Sequence, residues 1–454
     1  MKKNNKLWNN ENHSKVTHIV TEFTTGEDVA LDTLLVKYDA IGSIAHATML
    51  TKLNIITKDE LAKIKKALIK IISLSEDGKF RVEPDDEDVH TKIENYLTAE
   101  LGDSGKKIHT CRSRNDQILV DLRLYSKGKL LEIQENVLRL CKALTDFANR
   151  NDKMPMPGYT HLQKAMPSSV SLWALAYVES LLDDMISIKS AYTLNNQNPL
   201  GSAAGYGVPI NIDRKMTTEL LGFEKIQNNV LYVQNSRGKI ETAILSAMSQ
   251  VMLDLGRMAN DMILFSTEEF GFFEIPDDFC TGSSIMPKKR NPDVLELIRG
   301  RANRIFSYLY QTIGIVKDLP SGYNRDLQEL KEPLLRGMML VNSCLRMMSM
   351  IVKNLKANKE KLTAAFIPRI FAADKALELV AKGIPFRDAY KEIEYNFLGL
   401  DTTFSPSESI KLRSHIGSSG RLGVEKIEHK IAAEAEAIRA EAKFFHEKIN
   451  ALIK

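Results

Sequence analysis

Apolar residues recur at helical spacing over stretches far longer than an ordinary helix, and this limits the possible folds more than any other feature of the chain. Residues 117–149 place Ile118, Leu122, Leu130, Ile133, Val137, Leu140, Leu144 and Phe147 along one stripe. Residues 168–194 do so with Val170, Trp173, Val178, Leu181, Leu182, Met185 and Ile188, and residues 237–265 with Ile240, Ile244, Met248, Val251, Leu255, Met258 and Met262. Segments 293–316 and 327–357 complete a set of five. An average helix has about 11–12 residues, so each of these is unusually long. The stripes are wide, and 168–194 and 327–357 are apolar nearly all round. A single copy of a five-helix bundle would leave such faces in water, which predicts burial against other subunits. The methionines on these faces read as core packing.

The flanking regions differ. Residues 1–112 mix short helices and loops, with Thr57-Lys-Asp-Glu60 as a capping box ahead of Leu61, Ile64, Leu68 and Ile71. Beyond residue 360, Lys382-Gly-Ile-Pro-Phe386 stops one helix and starts another, Ile410–Gly423 reads as a loop, and 425–450 reads as a closing helix. With 24 Gly and 14 Pro in 454 residues and few strand signatures, the expected class is mainly α. Three domains are expected: 1–112, 113–360 and 361–454.

A net charge of +4, spread along the chain, argues against a nucleic-acid surface. Cys111, Cys141, Cys280 and Cys344 are far apart with no CxxC pair, so neither a disulfide framework nor a zinc site is indicated, and a reducing cytoplasm fits. Met1–Trp8 has no apolar run behind it, so no signal peptide is expected. No stretch is expected to be long and apolar enough to span a membrane.

Four polar clusters interrupt the helical pattern at helix ends. The first is Glu87-Asp-Val-His90 with Ile108-His-Thr-Cys-Arg-Ser-Arg-Asn-Asp-Gln117. Its Arg112 and Arg114 can clamp carboxylates through the guanidinium fork. Ser113, Asn115 and Asp116 add polar groups that could equally cap the following helix. The second is Pro157-Gly-Tyr-Thr-His-Leu-Gln163, read as a Gly-Tyr loop in which His161 sits between polar neighbours and is an acid/base candidate. The third is Thr281-Gly-Ser-Ser-Ile-Met-Pro-Lys-Lys-Arg-Asn-Pro292, with Glu296 just beyond. Gly, Ser and three consecutive cations before a helix suit a small di- or tricarboxylate, although a solvated basic loop has the same composition. The fourth is Tyr323-Asn-Arg-Asp-Leu-Gln328 with Lys331, which also fits a surface turn.

The first two clusters flank one predicted helix. Roughly 33 residues at about 1.5 Å each separate its ends by about 50 Å. The connection at 150–157 is too short to return at about 3.3 Å per residue. If both clusters serve one site, they come from different subunits.

Taken together, the clusters resemble the fumarase/aspartase superfamily. Gly282-Ser-Ser-Ile-Met-Pro-Lys-Lys-Arg-Asn291 is similar to its signature G-S-S-x-M-P-x-K-x-N at every fixed position. His109–Gln117, Pro157–Gln163, Tyr323–Glu329, Lys6-Leu-Trp8 and Pro385-Phe-Arg-Asp-Ala-Tyr390 resemble the argininosuccinate lyase family within it. The resemblance implies a homotetramer with a twenty-helix core and sites each built from three subunits. It also implies cleavage of argininosuccinate to arginine and fumarate with no metal or organic cofactor. By resemblance Ser283 is the base, His161 the acid, Glu296 the group that orients His161, and Lys289 and Asn291 the partners of the charged carboxylate. The Ser283 and His161 roles are also read in exchange. Asp28, His90, Ser113, Arg114, Asn115, Thr160, Gln163, Tyr323, Arg325, Gln328 and Lys331 match substrate-binding or supporting positions.

This sequence departs from the family pattern at several places. Cys111 stands where Gly is usual, so a positive φ there would be strained. Cys280, Arg290, Met166 and Asp28 replace a common Thr, Lys, Gln and Ser. Two alternatives remain: a related lyase acting on a substrate such as adenylosuccinate, and a helical homologue of the lens-crystallin kind without activity.

Overall fold

The computed structural model describes residues 18–83, 86–396 and 405–454. Lys6-Leu-Trp8 and the rest of the N-terminal reading lie outside the described residues. The five long patterns are five helices: α1 (Arg114–Arg150), α2 (Val170–Asn195), α3 (Lys239–Phe265), α4 (Asp293–Val316) and α5 (Lys331–Asn354). The closing helix, α6, is Val424–Ile453. α1 is one continuous helix of 37 residues, about 55 Å long at 1.5 Å per residue.

The bundle is a mainly α fold. α1 packs on α2, α5, α6 and the Val36–Lys52 helix, so it is enclosed within the chain. α3 packs on α2, α4 and α5. One continuous core runs from Leu31 through the bundle to Leu452. A separate small core of Ala376, Ala389 and Ile393 holds the helices on either side of Lys382–Pro385. The Thr57 capping box forms as expected.

The enclosed helix carries buried charge that fixes segment 196–238, which holds the short helices Arg214–Leu220 and Val230–Asn235. Lys127 Nζ donates to Asn196 Oδ1 (2.9 Å) and to the Gly222 carbonyl (2.6 Å). Arg123 Nη2 donates to Ser236 Oγ (3.2 Å), with Glu241 at 3.9 Å. Gly238 then starts α3 at φ +78°, and a Cβ there would lie 2.1 Å from Val316 Cγ1. Only glycine suits both demands.

Large apolar side chains remain exposed on the other bundle helices: Ile186 on α2, Leu253 on α3, Leu297 and Tyr310 on α4, and Met339 and Met350 on α5.

Three expectations need correction. Arg325–Asn354 is long and apolar enough to cross a membrane, but more than half of its apolar window is buried inside the bundle. The Pro157–Gln163 cluster is not an irregular loop but part of a hairpin, β1 (Pro155–Thr160) with β2 (Gln163–Ser169). Prolines and small residues hid the alternation that would mark a strand. The loop expected at Ile410–Gly423 begins later, because the Pro406–Leu412 helix with its Ser405 capping box takes Ile410–Leu412.

Candidate active site

The first cluster starts α1. Ser113 is the N-cap: its Oγ accepts from the Asn115 N–H (3.2 Å), and Asp116 Oδ1 accepts from the Ser113 N–H (2.9 Å). The second Asp116 oxygen accepts from Gly201 and Ala203 N–H, each at 2.9 Å, which ties that turn to the helix start. Burial pushes the Asp116 carboxyl up to about 6 despite these donors. Arg114 Nη1 donates to Asp88 Oδ2 (2.6 Å) and Nη2 to Thr91 Oγ1 (2.8 Å). Asp88 is itself the N-cap of the Val89–Leu101 helix, so one guanidinium joins two helix starts. Cys111 adopts φ +61°, the strained case for a residue with a Cβ.

The fourth cluster lies at the same end. A 3-10 turn, Arg325–Leu330, leads into α5. Lys331 Nζ pairs with Asp28 Oδ1 (2.5 Å) and Asp32 Oδ1 (2.8 Å), and all three side chains are at most 7% exposed. Burial opposes the Lys331 charge, but Asp32 and Asp28 outweigh it and raise its affinity for the proton. Burial pushes Asp28 up to about 6, helped by the charge of Asp32 and opposed by Lys331. Arg325 and Gln328 both donate to the Thr24 carbonyl (2.8 and 3.3 Å).

These groups line a cavity of about 280 Å³. Of the residues predicted from sequence, Asp28, His90, Arg114, Asn115, Tyr323, Arg325, Gln328 and Lys331 face it together. Ser113 does not; its hydroxyl is engaged as the cap. The cavity walls also hold Glu87 and Asp88 of the first cluster, for which the sequence pointed to no role, and Asp32 and Arg237, which lie outside the four clusters. The spacing of Asp28 and Asp32 on one helix face was a usable signal. Arg237 gave none: it reaches the cavity because it precedes Gly238, and it lies over the Tyr323 ring at 5.6 Å. Four carboxylates and four cations thus line one pocket, a pattern suited to a substrate carrying both signs of charge.

The other two clusters stand at the far end of the bundle, beyond the C-terminus of α1. His161 and Leu162 form the hairpin tip, both with positive φ (53° and 57°), as a two-residue I′ turn requires. Tyr159 anchors this hairpin against Phe265, Phe270 and Phe272. Thr160, His161 and Gln163 are exposed.

The 281–292 loop is pinned at its base, where Thr281 and Asn291 exchange backbone hydrogen bonds (3.0 and 2.9 Å) and Thr281 Oγ1 bonds Asp293. Arg290 Nε pairs with Asp277 Oδ1 (2.6 Å). Above the base the loop is open: Lys288 and Lys289 are exposed, and Ile285 is 82% exposed. Ser283 Oγ accepts from the N–H groups of Met286 (3.0 Å) and Ile285 (3.3 Å), two donors that favour negative charge on that oxygen. Asn291 Nδ2 turns toward the Gly282 carbonyl (3.4 Å), and Glu296 stands exposed in the first turn of α4.

The chain matches known proteins over most of its length. A family profile described as lyase matches residues 5–307. An argininosuccinate lyase of Parabacteroides distasonis is 44% identical over 93% of this chain and 94% of its own. That of Thermotoga neapolitana is 44% identical over 86% of this chain and 97% of its own. Among solved structures, an EDDS lyase in complex with formate superposes with a TM-score of 0.82 over 95% of this chain and 94% of its own, at 22% identity, a likeness of fold. A class II fumarase from Schistosoma mansoni gives a TM-score of 0.70 over 86% of this chain and 94% of its own, at 19% identity. With its signature loop, its mixed-charge cavity and these relatives, the chain belongs to the argininosuccinate lyase family of the fumarase/aspartase superfamily.

Proposed function

We propose that this chain catalyses the reversible elimination of argininosuccinate to L-arginine and fumarate, as part of arginine biosynthesis in the cytoplasm, with each active site assembled from three subunits of a homotetramer. One observation carries the shared-site reading: the chain divides its four clusters between opposite ends of a helix about 55 Å long. No single copy can bring them to one substrate. The exposed apolar side chains on α2 to α5 support burial against further copies. The division at 112/113 and 360/361 belongs to the same proposal, supported by the separate small core around Ala376.

In this reading the mixed-charge cavity takes the substrate, with Asn115, Tyr323, Gln328 and Lys331 on one wall and His90, Arg114 and Arg325 around it. Asp28 and Asp32 supply negative charge for the arginine end. The signature loop and the hairpin tip arrive from other subunits and cover the succinyl end. Ser283 removes the proton beside a succinyl carboxylate. The electron pair moves onto that carboxylate, where Lys289 and Asn291 hold the charge. The carbon–nitrogen bond then breaks, the pair forms the double bond of fumarate, and the departing guanidinium nitrogen takes a proton from His161. Glu296 would hold the charge of His161 as a third group holds a catalytic histidine. Thr160 and Gln163, beside His161, complete the substrate contacts. These roles need no metal or organic cofactor.

The deciding experiment follows fumarate release from argininosuccinate by the purified protein, with Ser283→Ala as control. Release that disappears in the control is the expected result. Release from adenylosuccinate alone would move the chain to the related lyase reading. No release from either, by a folded tetramer, would leave the inactive homologue.

A further inference from the structure

Beneath the cavity lies a buried cluster to which the reaction scheme gives no part. Asp39 of the Val36–Lys52 helix and Asp121 of α1 are both fully enclosed. Asp39 is well provided with donors. Its Oδ2 meets His90 Nδ1 (2.5 Å) and accepts from Gln117 Nε2 (2.8 Å), while Oδ1 accepts from Ser43 Oγ (3.2 Å). Ser43 Oγ in turn accepts from Arg112 Nη1 (2.8 Å). Asp121 is the opposite case. Among the described residues neither of its oxygens meets a donor, and Oδ2 stands 3.8 Å from His90 Nδ1. A carboxylate oxygen of Asp39, one of Asp121 and a ring nitrogen of His90 all lie within 4.8 Å of one another. Two ionised carboxylates side by side, sealed from water and one of them without a donor, would be costly. A neutral Asp121 removes the repulsion and gives its own proton a destination.

We propose that Asp121 carries a proton which it donates to the Asp39 carboxylate, and that the two act as positioning residues for His90. Asp39 takes the Nδ1–H of the ring, so Nε2 is the nitrogen left for the substrate cavity that His90 lines. The proposal rests on the lyase reading for its functional meaning, but its geometry does not.

The protonation pattern agrees with this arrangement. Burial and then the charge of Asp39 push the Asp121 carboxyl well above the ordinary value. Burial opposes the Asp39 charge, yet the His90 hydrogen bond, the positive charges of His90 and Arg112, and Gln117 hold that carboxyl low. Other charged groups face the same ring or pair: Asp88 and Arg114, Glu94 and His109, and Asp32.

Asp39, His90 and Asp121 also lie close enough together to resemble a metal site. Two features favour a proton over a cation. His90 Nδ1 and Asp39 Oδ2 stand at hydrogen-bond separation, whereas two ligands of a tetrahedral ion, each about 2.0–2.2 Å from it, would stand about 3.3–3.6 Å apart. Arg112 already supplies a cation to the cluster.

The test compares ¹⁵N-labelled wild-type protein with Asp39→Asn, Asp121→Asn and Asp121→Leu. The readouts are the downfield Nδ1–H resonance of His90, identified by its loss in His90→Gln, and kcat and KM for argininosuccinate from pH 6 to 9. Asp39→Asn should lose the resonance and raise KM or lower kcat by about 10- to 100-fold, as removal of an orienting partner does. Asp121→Leu should weaken both readouts. Asp121→Asn, whose amide still donates to Asp39, should rescue most of that loss. Equal loss in Asp121→Asn and Asp121→Leu would overturn the proton-donor role. Activity lost on chelation and restored by Zn²⁺ or Mn²⁺ would overturn the proposal in favour of a metal site. If Asp39→Asn does not fold, the wild-type resonance and the Asp121 pair still decide. A wild type without turnover but with the His90 resonance would refute the lyase reading and not this pairing.

Discussion

The two ends of the bundle contrast in how much of their chemistry the single chain completes. At the α1 N-terminus, cations and carboxylates are paired and mostly enclosed around a formed cavity. At the opposite end, His161, Lys289 and Glu296 stand in the open on a hairpin tip, a loop and a first helical turn. One end is preorganised by buried ion pairs. The other has rigid supports, such as the Tyr159 aromatic anchor and the Thr281–Asn291 pairing, but its candidate side chains His161, Lys289 and Glu296 are exposed. The difference is the one the proposed shared site requires: each copy would supply complementary parts, and association between copies would unite them.

The largest effect should come from separating the two ends by mutation. His161→Asn should lower turnover by about 10²–10⁴-fold, the usual range for a general acid, with circular dichroism and oligomer mass unchanged. Mixed with an inactive Asn115→Leu protein under conditions that exchange subunits, it should regain partial activity, because some assembled sites then receive intact parts from both. Verified hybrids with no activity would break the shared-site comparison.

Lys331→Met should be costly at the enclosed end. It leaves Asp28 and Asp32 without their ammonium, and removing one partner of a buried ion set costs about 3–5 kcal/mol. Lys289→Met, at the exposed loop, should change chemical-denaturation stability by no more than about 0.5 kcal/mol. Similar losses at both positions would erase the distinction.

A pH series sharpens the comparison further. Asp28 is raised from 3.8 to about 6, so the folded state holds its proton more tightly than the unfolded chain does. Its contribution to stability is therefore present in full below about 3.8 and lost as pH rises through about 6, by at most about 3 kcal/mol. Asp28→Asn should flatten that part of the stability profile, as measured by denaturant midpoints from pH 4 to 7.5. An unchanged slope would remove Asp28 from the account.

The smallest effect concerns Cys111. Its positive φ costs a side chain about 1–2 kcal/mol, so Cys111→Gly should recover part of that, offset by the greater freedom of the unfolded glycine. A gain of about 0.5–1 kcal/mol without a change in KM would identify local strain alone.

The five long helices were legible because a wide apolar stripe at helical spacing can be buried in few ways. The Ser283 loop and the first and fourth clusters were legible because cations, Ser and Asn gathered where that pattern broke. Arg237 was not, since its place in the cavity depends on segments distant in the chain. The His161 hairpin was misread as a loop because its strands carry proline and little alternation, and its order comes from packing on Phe265, Phe270 and Phe272. The sequence by itself determined which segments are helical, where polar chemistry interrupts them, and that two of the clusters lie a helix length apart. Tertiary structure alone decided which clusters share a cavity and which carboxylates lose water. Charge pairing and desolvation depend on the three-dimensional neighbours of a residue, while helical periodicity depends on its neighbours along the chain.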